Sequence, residues 1–336
     1  MPRGTKEMLT IDGREVSLSN PDKVFFVETG ATKRDLVAYY ERIADPLLRA
    51  LGGRPVLMER YPDGASGKSF FQKRVPDSAP EWLDRTIVST PNGTTSQALV
   101  LTDIAHVAWA VNLGCIGFHA WPYHADTADY ADELRIDLDP TPGVVFDELR
   151  EAAHVTRELL ADYGITGLPK TTGRNGIHVY VRLELEWSAY DVRDAAVAVA
   201  RELERRRPDL VTASWWKEER GRRVFVDFNQ NAPHKTVFAA WTVRPRPGAQ
   251  VSTPFRWDEL DAVDPQALTM DVVPDRVARD GDPWAGAAGE PQSLEPLLEL
   301  VARDRANGLE DAPWPPVYPK MPNEPRRVNP SRKKQD

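Results

Sequence analysis

Cysteine is all but missing from this chain. The single one, Cys115, excludes an internal disulfide framework and any cysteine-based metal cluster, so a bound metal must be held by oxygen or imidazole. Long apolar runs are missing too. The longest, ALVLTDIAHVAWAV at 98–111, is broken by Thr102, Asp103 and His106, and the opening MPRGTKEM carries no hydrophobic signal segment. Neither a membrane span nor a secretory leader is expected, which leaves the cytoplasm. Net positive charge is also lacking: a balance of −8 argues against a protein that coats nucleic acid through bulk charge. Internal repeats are absent as well.

What is present suffices for a full core. With 336 residues, 41% hydrophobic and 28% charged, the chain can bury one large domain or two small ones. Basic residues concentrate in RELERRRP (201–208), KEERGRR (217–223), TVRPRPG (242–248) and PRRVNPSRKKQD (325–336). The run Arg201 to Arg207 reads as a solvated helix face. The Pro-rich, polar stretch from about Ala312 to Asp336 reads as a poorly ordered tail.

Periodicity predicts three helices. TKRDLVAYYERIADPLLRAL (32–51) has a capping pattern at Thr32 and Asp35, then Leu36, Tyr39, Ile43 and Leu47 at helical spacing. FDELREAAHVTRELLADYG (146–164) places Leu149, Val155, Leu159 and Leu160 on one stripe before Gly164. A third helix starts at Ser188, three residues before Asp191, and ends at Pro208. GIHVYVRLEL (176–185) and RRVFVDFNQ (222–230) read as strands. Helices and strands mix without a regular βαβ rhythm, which predicts an α+β fold with antiparallel sheets.

ELRIDLDPTPG (133–143) sets two carboxylates into a strand pattern closed by Pro140. Side chains alternate along a strand, so Asp137 and Asp139 share a face with about 7 Å between their α-carbons. Such a pair repels itself unless a cation lies between. Asp227, inside the apolar run RRVFVDFNQN, is a third carboxylate in strand context. One such aspartate is commonly edge-facing or salt-bridged, but three suit Mg²⁺ or Mn²⁺, hard cations that take carboxylate oxygens and share sites with phosphate. Two ions roughly 4 Å apart can clamp the attacking and leaving oxygens of a phosphoryl transfer. Polymerases and some nucleases both fit.

A place for a triphosphate separates them. TTGRNGIHVY (171–180) brackets Arg174 and Asn175 with Gly173 and Gly176, and such a turn can aim N–H groups at an anion, with His178 beyond it. An ordinary hairpin turn would read the same way. Lys217, Arg220 and Arg244 add cations on either side of Asp227 in sequence. PDGASGKS (62–69) imitates a P-loop, but Pro62 stands where the first glycine belongs, and its fixed φ cannot make that turn.

These residues resemble the polymerase domain of bacterial ligase D, a branch of the archaeo-eukaryotic primase superfamily used in end joining and gap repair. The resemblance runs from about Leu18 to Ala306. It comprises LSNPDKVFF, ATKRDL, GKSFFQK, FHAWP, RIDLDP, TTGRNGIHVY, VFVDFNQN and VRPRPGAQVSTP in family order. It implies a primase-polymerase catalytic core of mostly antiparallel sheets flanked by helices, with an N-terminal α/β module packed on it. One catalytic domain over 1–311 is expected, with a DNA- and 5′-phosphate-binding part at about 1–100, a core at about 101–270, and 312–336 as tail. With no ligase or phosphoesterase module following, the chain looks like a stand-alone actinobacterial type.

The resemblance also implies roles. Asp137, Asp139 and Asp227 would be the catalytic metal-binding carboxylates for two Mn²⁺ or Mg²⁺ ions, with His119 beside them. Thr172, Arg174, His178, Lys217, Arg220, Gln230 and Arg244 would surround the incoming nucleotide. Asn20, Lys23 and Lys33 match a pocket for a downstream 5′-phosphate. The start of the helix at Thr32 would assist through its free N–H groups. Phe70 and Phe71 match aromatics that stack on DNA bases, although one of the two is expected in the core. Thr172 stands where the family usually has Ser, Asn175 where Lys is frequent, and Glu59 where relatives often carry a basic residue. The implied activity is primer extension and short-gap filling on DNA with a 5′-phosphate end, preferring ribonucleoside triphosphates, alongside other repair proteins and with no membrane partner. A metal-dependent nuclease and a non-catalytic DNA-end-binding protein are the rivals.

Overall fold

The computed structural model describes residues 5–322 and 324. Two antiparallel-rich sheets face each other across a cleft, each covered on its outer side by helices. The chain opens with a hairpin, Lys6–Ile11 against Arg14–Ser19, closed by Asp12 and Gly13, both with positive φ. An Asp-Gly pair is the composition such a tight turn demands.

The stretch expected as one helix forms two, Lys33–Arg42 and Ala44–Leu51. Pro46 is the cause: it has no N–H to give the carbonyl of Arg42, and its ring crowds that turn, so the helix breaks at Ile43. Thr32 and Asp35 do form the capping box. With the helix Ile104–Asn112, capped by Asp103, this layer packs near a six-stranded antiparallel sheet. Its order is Val237–Phe238, Cys115–Ala120, Arg54–Arg60, Thr95–Leu101 and Arg85–Ser89, with Phe70–Gln72 also paired to Arg54–Arg60. Cys115 is fully buried there, and burial pushes its thiol far above the usual range.

The second sheet has the order Leu168–Thr171, Ile177–Arg182, Glu133–Pro140, Val224–Val226 and Val211–Thr212. Only the last pair is parallel. Leu134, Ile136 and Leu138 occupy one face of the central strand, and the helices Phe146–Asp162 and Ala189–Arg206 pack against this sheet. Arg135, Asp137 and Asp139 occupy the other. Period two thus gives one strand an oily face and a charged face, both largely covered. The fold is α+β, as expected.

A buried ionic cluster joins the sheets. Arg54 of the six-stranded sheet donates to both oxygens of Asp132 at 2.7 Å and lies 3.2 Å from Glu133, which also receives Arg135 and Arg182. Arg135 returns a bond to the carbonyl of Ala120. PDGASGKS is a turn between strands and no helix follows it. The Arg201 to Arg207 face is laced with ion pairs to Glu202, Asp304, Asp162 and Glu151.

The expectation of a poorly ordered tail fails for its first part. Ala312, Trp314 and Tyr318 are buried, because a buried Arg193 supplies donors to the passing backbone. Residues 325–336 lie outside the described residues. No described helix is long and apolar enough to cross a membrane.

Candidate active site

The charged face of the central strand opens into the cleft between the sheets. Asp137 pairs in register with His178, and His178 with Lys170, so an aspartate, a histidine and a lysine form a row across three strands. Asp227 arrives differently from the sequence expectation. Its strand stops at Val226, and Asp227 caps a short 3₁₀ turn, Phe228–Asn231. The turn is still tied to the central strand: the Asp227 N–H donates to the Asp137 carbonyl at 2.9 Å. The Asn231 side chain accepts from the N–H of Arg135 and donates to its carbonyl, which continues the sheet pairing with an amide in place of backbone.

The outcome is three carboxylates whose ligand oxygens all lie within 4.8 Å of one another. His178 Nε2 stands 2.9 Å from Asp137 Oδ1 but outside hydrogen-bond alignment, and that buried oxygen has no hydrogen-bond partner among the described residues. Burial pushes the Asp137 carboxyl up to about 7, with Lys170 and Arg244 opposing. Asp139 faces the open cleft, yet poor hydration and then the charges of Asp137 and Asp227 lift it to about 7. Burial and Asp137 lift Asp227 to about 6, while Gln230 donates to its Oδ2 at 2.7 Å. Three carboxyls this close, one with an unpartnered buried oxygen, suit a hard divalent cation.

Around them lies a cavity of about 760 Å³ lined by residues of both sheets, including His119, Thr172, Arg174, His178, Lys217, Arg220, Gln230 and Arg244. The two better-buried cations rest on aromatic platforms. Arg220 lies 3.4 Å from the Phe225 ring and donates to the carbonyls of Ser214 and Trp215. Arg244 lies 3.4 Å from the Phe238 ring and donates to the Thr172 carbonyl. Gly117 makes the second platform possible, because a Cβ there would sit 2.4 Å from that ring. Stacking fixes a guanidinium plane before any anion arrives. Lys217 is exposed at the rim. Burial and the nearby cations Lys170 and Arg244 push His178 well below its usual range, so it is neutral at physiological pH.

The glycine-bracketed turn is built as a self-contained loop. The Thr172 hydroxyl accepts from the N–H groups of Arg174 and Gly176, and Gly173 has φ +68 with no room for a Cβ beside Arg244. Those two N–H groups are therefore spent on the turn. His119 shares the cavity but points Nε2 at Glu59 Oε2, 3.2 Å away, rather than joining the aspartates.

Phe70 and Phe71 are 47% and 60% exposed, so neither belongs to the core. Phe70 lies beneath Arg60, and Phe71 meets His119 edge-on at 5.3 Å, at the cleft. Asn20, Lys23 and Lys33 do converge, but the helix start beside them has no free N–H to offer. Those of Lys33, Arg34 and Asp35 go to Lys23, Pro21 and Thr32. Lys33 Nζ is itself buried against the carbonyls of Ser19 and Asn112. Burial and Lys23 lower it to about 8. Lys23 pairs with Asp63 and remains partly exposed.

Sequence reasoning missed Phe225, Phe238, Asn229, Asn231 and Arg193. Each reads as ordinary core or loop, and only an aromatic near each cationic segment, Phe225 after Arg220 and Phe238 before Arg244, hinted at the platforms.

Comparison places this geometry. The LigD primase-polymerase domain family matches residues 32–284. The multifunctional non-homologous end joining DNA repair protein LigD of Mycobacterium tuberculosis (strain ATCC 25618 / H37Rv) is 36% identical over 277 residues, 80% of this chain and 36% of that protein. The LigD of Mycolicibacterium smegmatis is 34% identical over 310 residues, 92% of this chain and 40% of its own length. This chain thus spans well under half of those relatives. The solved polymerase domain from Mycobacterium tuberculosis ligase D in complex with DNA aligns with a TM-score of 0.76 at 35% identity, covering 82% of this chain and 99% of that one. On these matches the chain belongs to the LigD primase-polymerase domain family of nucleotidyltransferases.

Proposed function

We propose that this protein extends primers and fills short gaps in DNA, adding ribonucleotides in preference to deoxyribonucleotides, in cytoplasmic end-joining repair. The observation that carries the reading is the cluster of Asp137, Asp139 and Asp227, with its unpartnered buried oxygen, inside a cavity that also holds Arg174, Lys217, Arg220 and Arg244. A nuclease needs the carboxylates but has less use for four cations placed to receive a triphosphate.

In this reading the three aspartates hold two divalent ions, Mn²⁺ or Mg²⁺, which when bound supply charge neutralisation at the reacting phosphate. Asp137, Asp139 and Asp227 would together hold these ions, with Gln230 orienting Asp227. The primer 3′-hydroxyl gives its proton to solvent in the cleft as its oxygen bonds to the α-phosphorus, and the bond from that phosphorus to the α,β-bridging oxygen breaks to release pyrophosphate. Arg220 and Arg244, held flat on their phenylalanines, orient the triphosphate with Arg174 and Lys217. Neutral His178 can donate to a phosphate oxygen. Phe70 and Phe71 offer faces for unpaired or terminal bases, and Lys23 with Asn20 and Lys33 holds a downstream 5′-phosphate. The DNA-bound neighbour and the end-joining names of the relatives support this substrate class.

Extension of a labelled primer across gapped, nicked and unprimed DNA, with ribo- and deoxyribonucleotides compared, tests the reading. Ribonucleotide addition across the gap is the expected result. Shortening of the primer would establish the nuclease, and a deoxyribonucleotide preference would remove the sugar assignment.

A further inference from the structure

The segment Asp311–Met321 lies beyond the residues that define the family, and it runs directly behind the turn that carries Asp227. Arg193, fully buried on the helix Ala189–Arg206, is the joint. Its Nε donates to Asn229 Oδ1, its Nη1 to Asp311 and its Nη2 to the carbonyl of Ala312, each at 2.9 Å. The guanidinium lies 3.7 Å from the Trp314 ring on one side and 5.8 Å from that of Phe228 on the other. Asn229 donates to the carbonyl of Pro313 at 3.0 Å, and its own N–H goes to Asp227 Oδ1 at 3.1 Å. Farther along, Trp314 and Tyr318 pack on Ala232, and the Tyr318 hydroxyl donates to the carbonyl of Pro233.

Burying a guanidinium is costly unless its donors are all used and its geometry is needed. An apolar residue would seat this helix as well. What Arg193 adds is a rigid three-way link between helix, turn and C-terminal segment. The turn itself is a short 3₁₀ segment of four residues, a weak element on its own.

We propose that Asp311–Met321 is a positioning strap for the polymerase centre, acting through the positioning residues Arg193 and Asn229 to hold Asp227 and Gln230 against Asp137 and Asp139. The inference rests on the nucleotidyltransferase reading of those aspartates. It gives the C-terminal segment a role in setting metal affinity and turnover, beyond closing off the core.

The test uses the full chain and reads Mn²⁺ binding by electron paramagnetic resonance, beside steady-state primer extension. Asn229→Ala cuts the link, Trp314→Ala loosens the strap, and Tyr318→Phe removes one hydroxyl with little risk to folding. Leu300→Ala, a core cavity on another helix, serves as a stability control. Asn229→Ala is expected to weaken Mn²⁺ binding about tenfold, the scale seen when a residue that orients a metal ligand is removed. kcat should fall by a similar factor while DNA affinity is unchanged, with smaller losses in the two strap variants. The control should melt lower but bind Mn²⁺ as wild type does. Wild-type Mn²⁺ affinity in all three variants, or an equal loss in the control, overturns the strap. A wild type that neither binds Mn²⁺ nor extends a primer overturns the polymerase reading, and the strap with it.

Discussion

Asp139 shows what a metal site costs a protein before the metal arrives. Its folded pKa of about 7 lies above the ordinary 3.8, as do those of Asp137 at about 7 and Asp227 at about 6. A carboxyl raised in this way adds stability that is complete below about pH 4 and is lost as pH climbs through 6 and 7. Asp139→Asn removes the charge and keeps the shape. It is expected to melt a few degrees above wild type at pH 7.5 in a chelator, with the gap closing towards pH 4. Mn²⁺ should raise the melting temperature of wild type more at pH 7.5 than at pH 5.5, because protons and metal compete for the same oxygens. A gap that is constant with pH would show that these carboxyls are not raised. At the same scale, Asp137→Ala and Asp139→Ala should each bring nucleotide addition below roughly one-hundredth of wild type while gapped DNA still binds. Extension at a tenth of the wild-type rate, followed beside fluorescence anisotropy for DNA, would sink the catalytic assignment.

At the scale of elements, the two lysines near the N-terminus should part company. Lys23 is partly in solvent and paired to an exposed Asp63, whereas Lys33 pins Ser19 of the hairpin to Asn112 at the end of a helix. Lys23→Ala should lower the preference for a 5′-phosphorylated gap by up to about tenfold, near 1.4 kcal/mol. Lys33→Ala should in addition lose about 1–3 kcal/mol of stability, since buried carbonyls are left without their donor. Equal denaturation midpoints for the two variants would refute this division. The contrast also shows what was legible in sequence. Strand period placed Asp137 and Asp139 on one face, and capping patterns located the starts of the first and third predicted helices, because both follow from local geometry. Asp227 was singled out as a candidate metal carboxylate but misread as mid-strand, since VFVDFNQ alternates well enough to hide the end of pairing at Val226. The break at Ile43 was legible in Pro46 and was overlooked. Lys33 could not be read as buried, because its acceptors lie 14 and 79 positions away. The role of Arg193 was equally hidden, since it depends on residues more than a hundred positions downstream.

At the scale of the whole molecule, one ionic cluster decides whether the two sheets stay in register. Burial raises Asp132 and Glu133, but Arg54 and the neighbouring basic groups outweigh it and hold both below the ordinary carboxylate range. Their contribution is therefore complete above about pH 4.5 and is lost progressively as pH falls from the ordinary carboxylate range towards their depressed folded values. Arg54→Met should cost about 3–5 kcal/mol, because it leaves the buried Asp132 with only His124 and takes from Glu133 one of its three arginines. Urea midpoints of that variant should stop falling with acid where those of wild type still do. Parallel acid profiles would place the cluster's energy elsewhere.

The lone Cys115 has a practical corollary. Its sulfur is sealed inside a sheet and held as the unreactive thiol, so the native chain is silent towards maleimide and other thiol reagents. A cysteine introduced at exposed Lys68, two residues before Phe70, would then be the sole attachment point for a dye. Donor and acceptor fluorophores on protein and DNA could report docking at the cleft, molecule by molecule, with no native residue removed to clear the background.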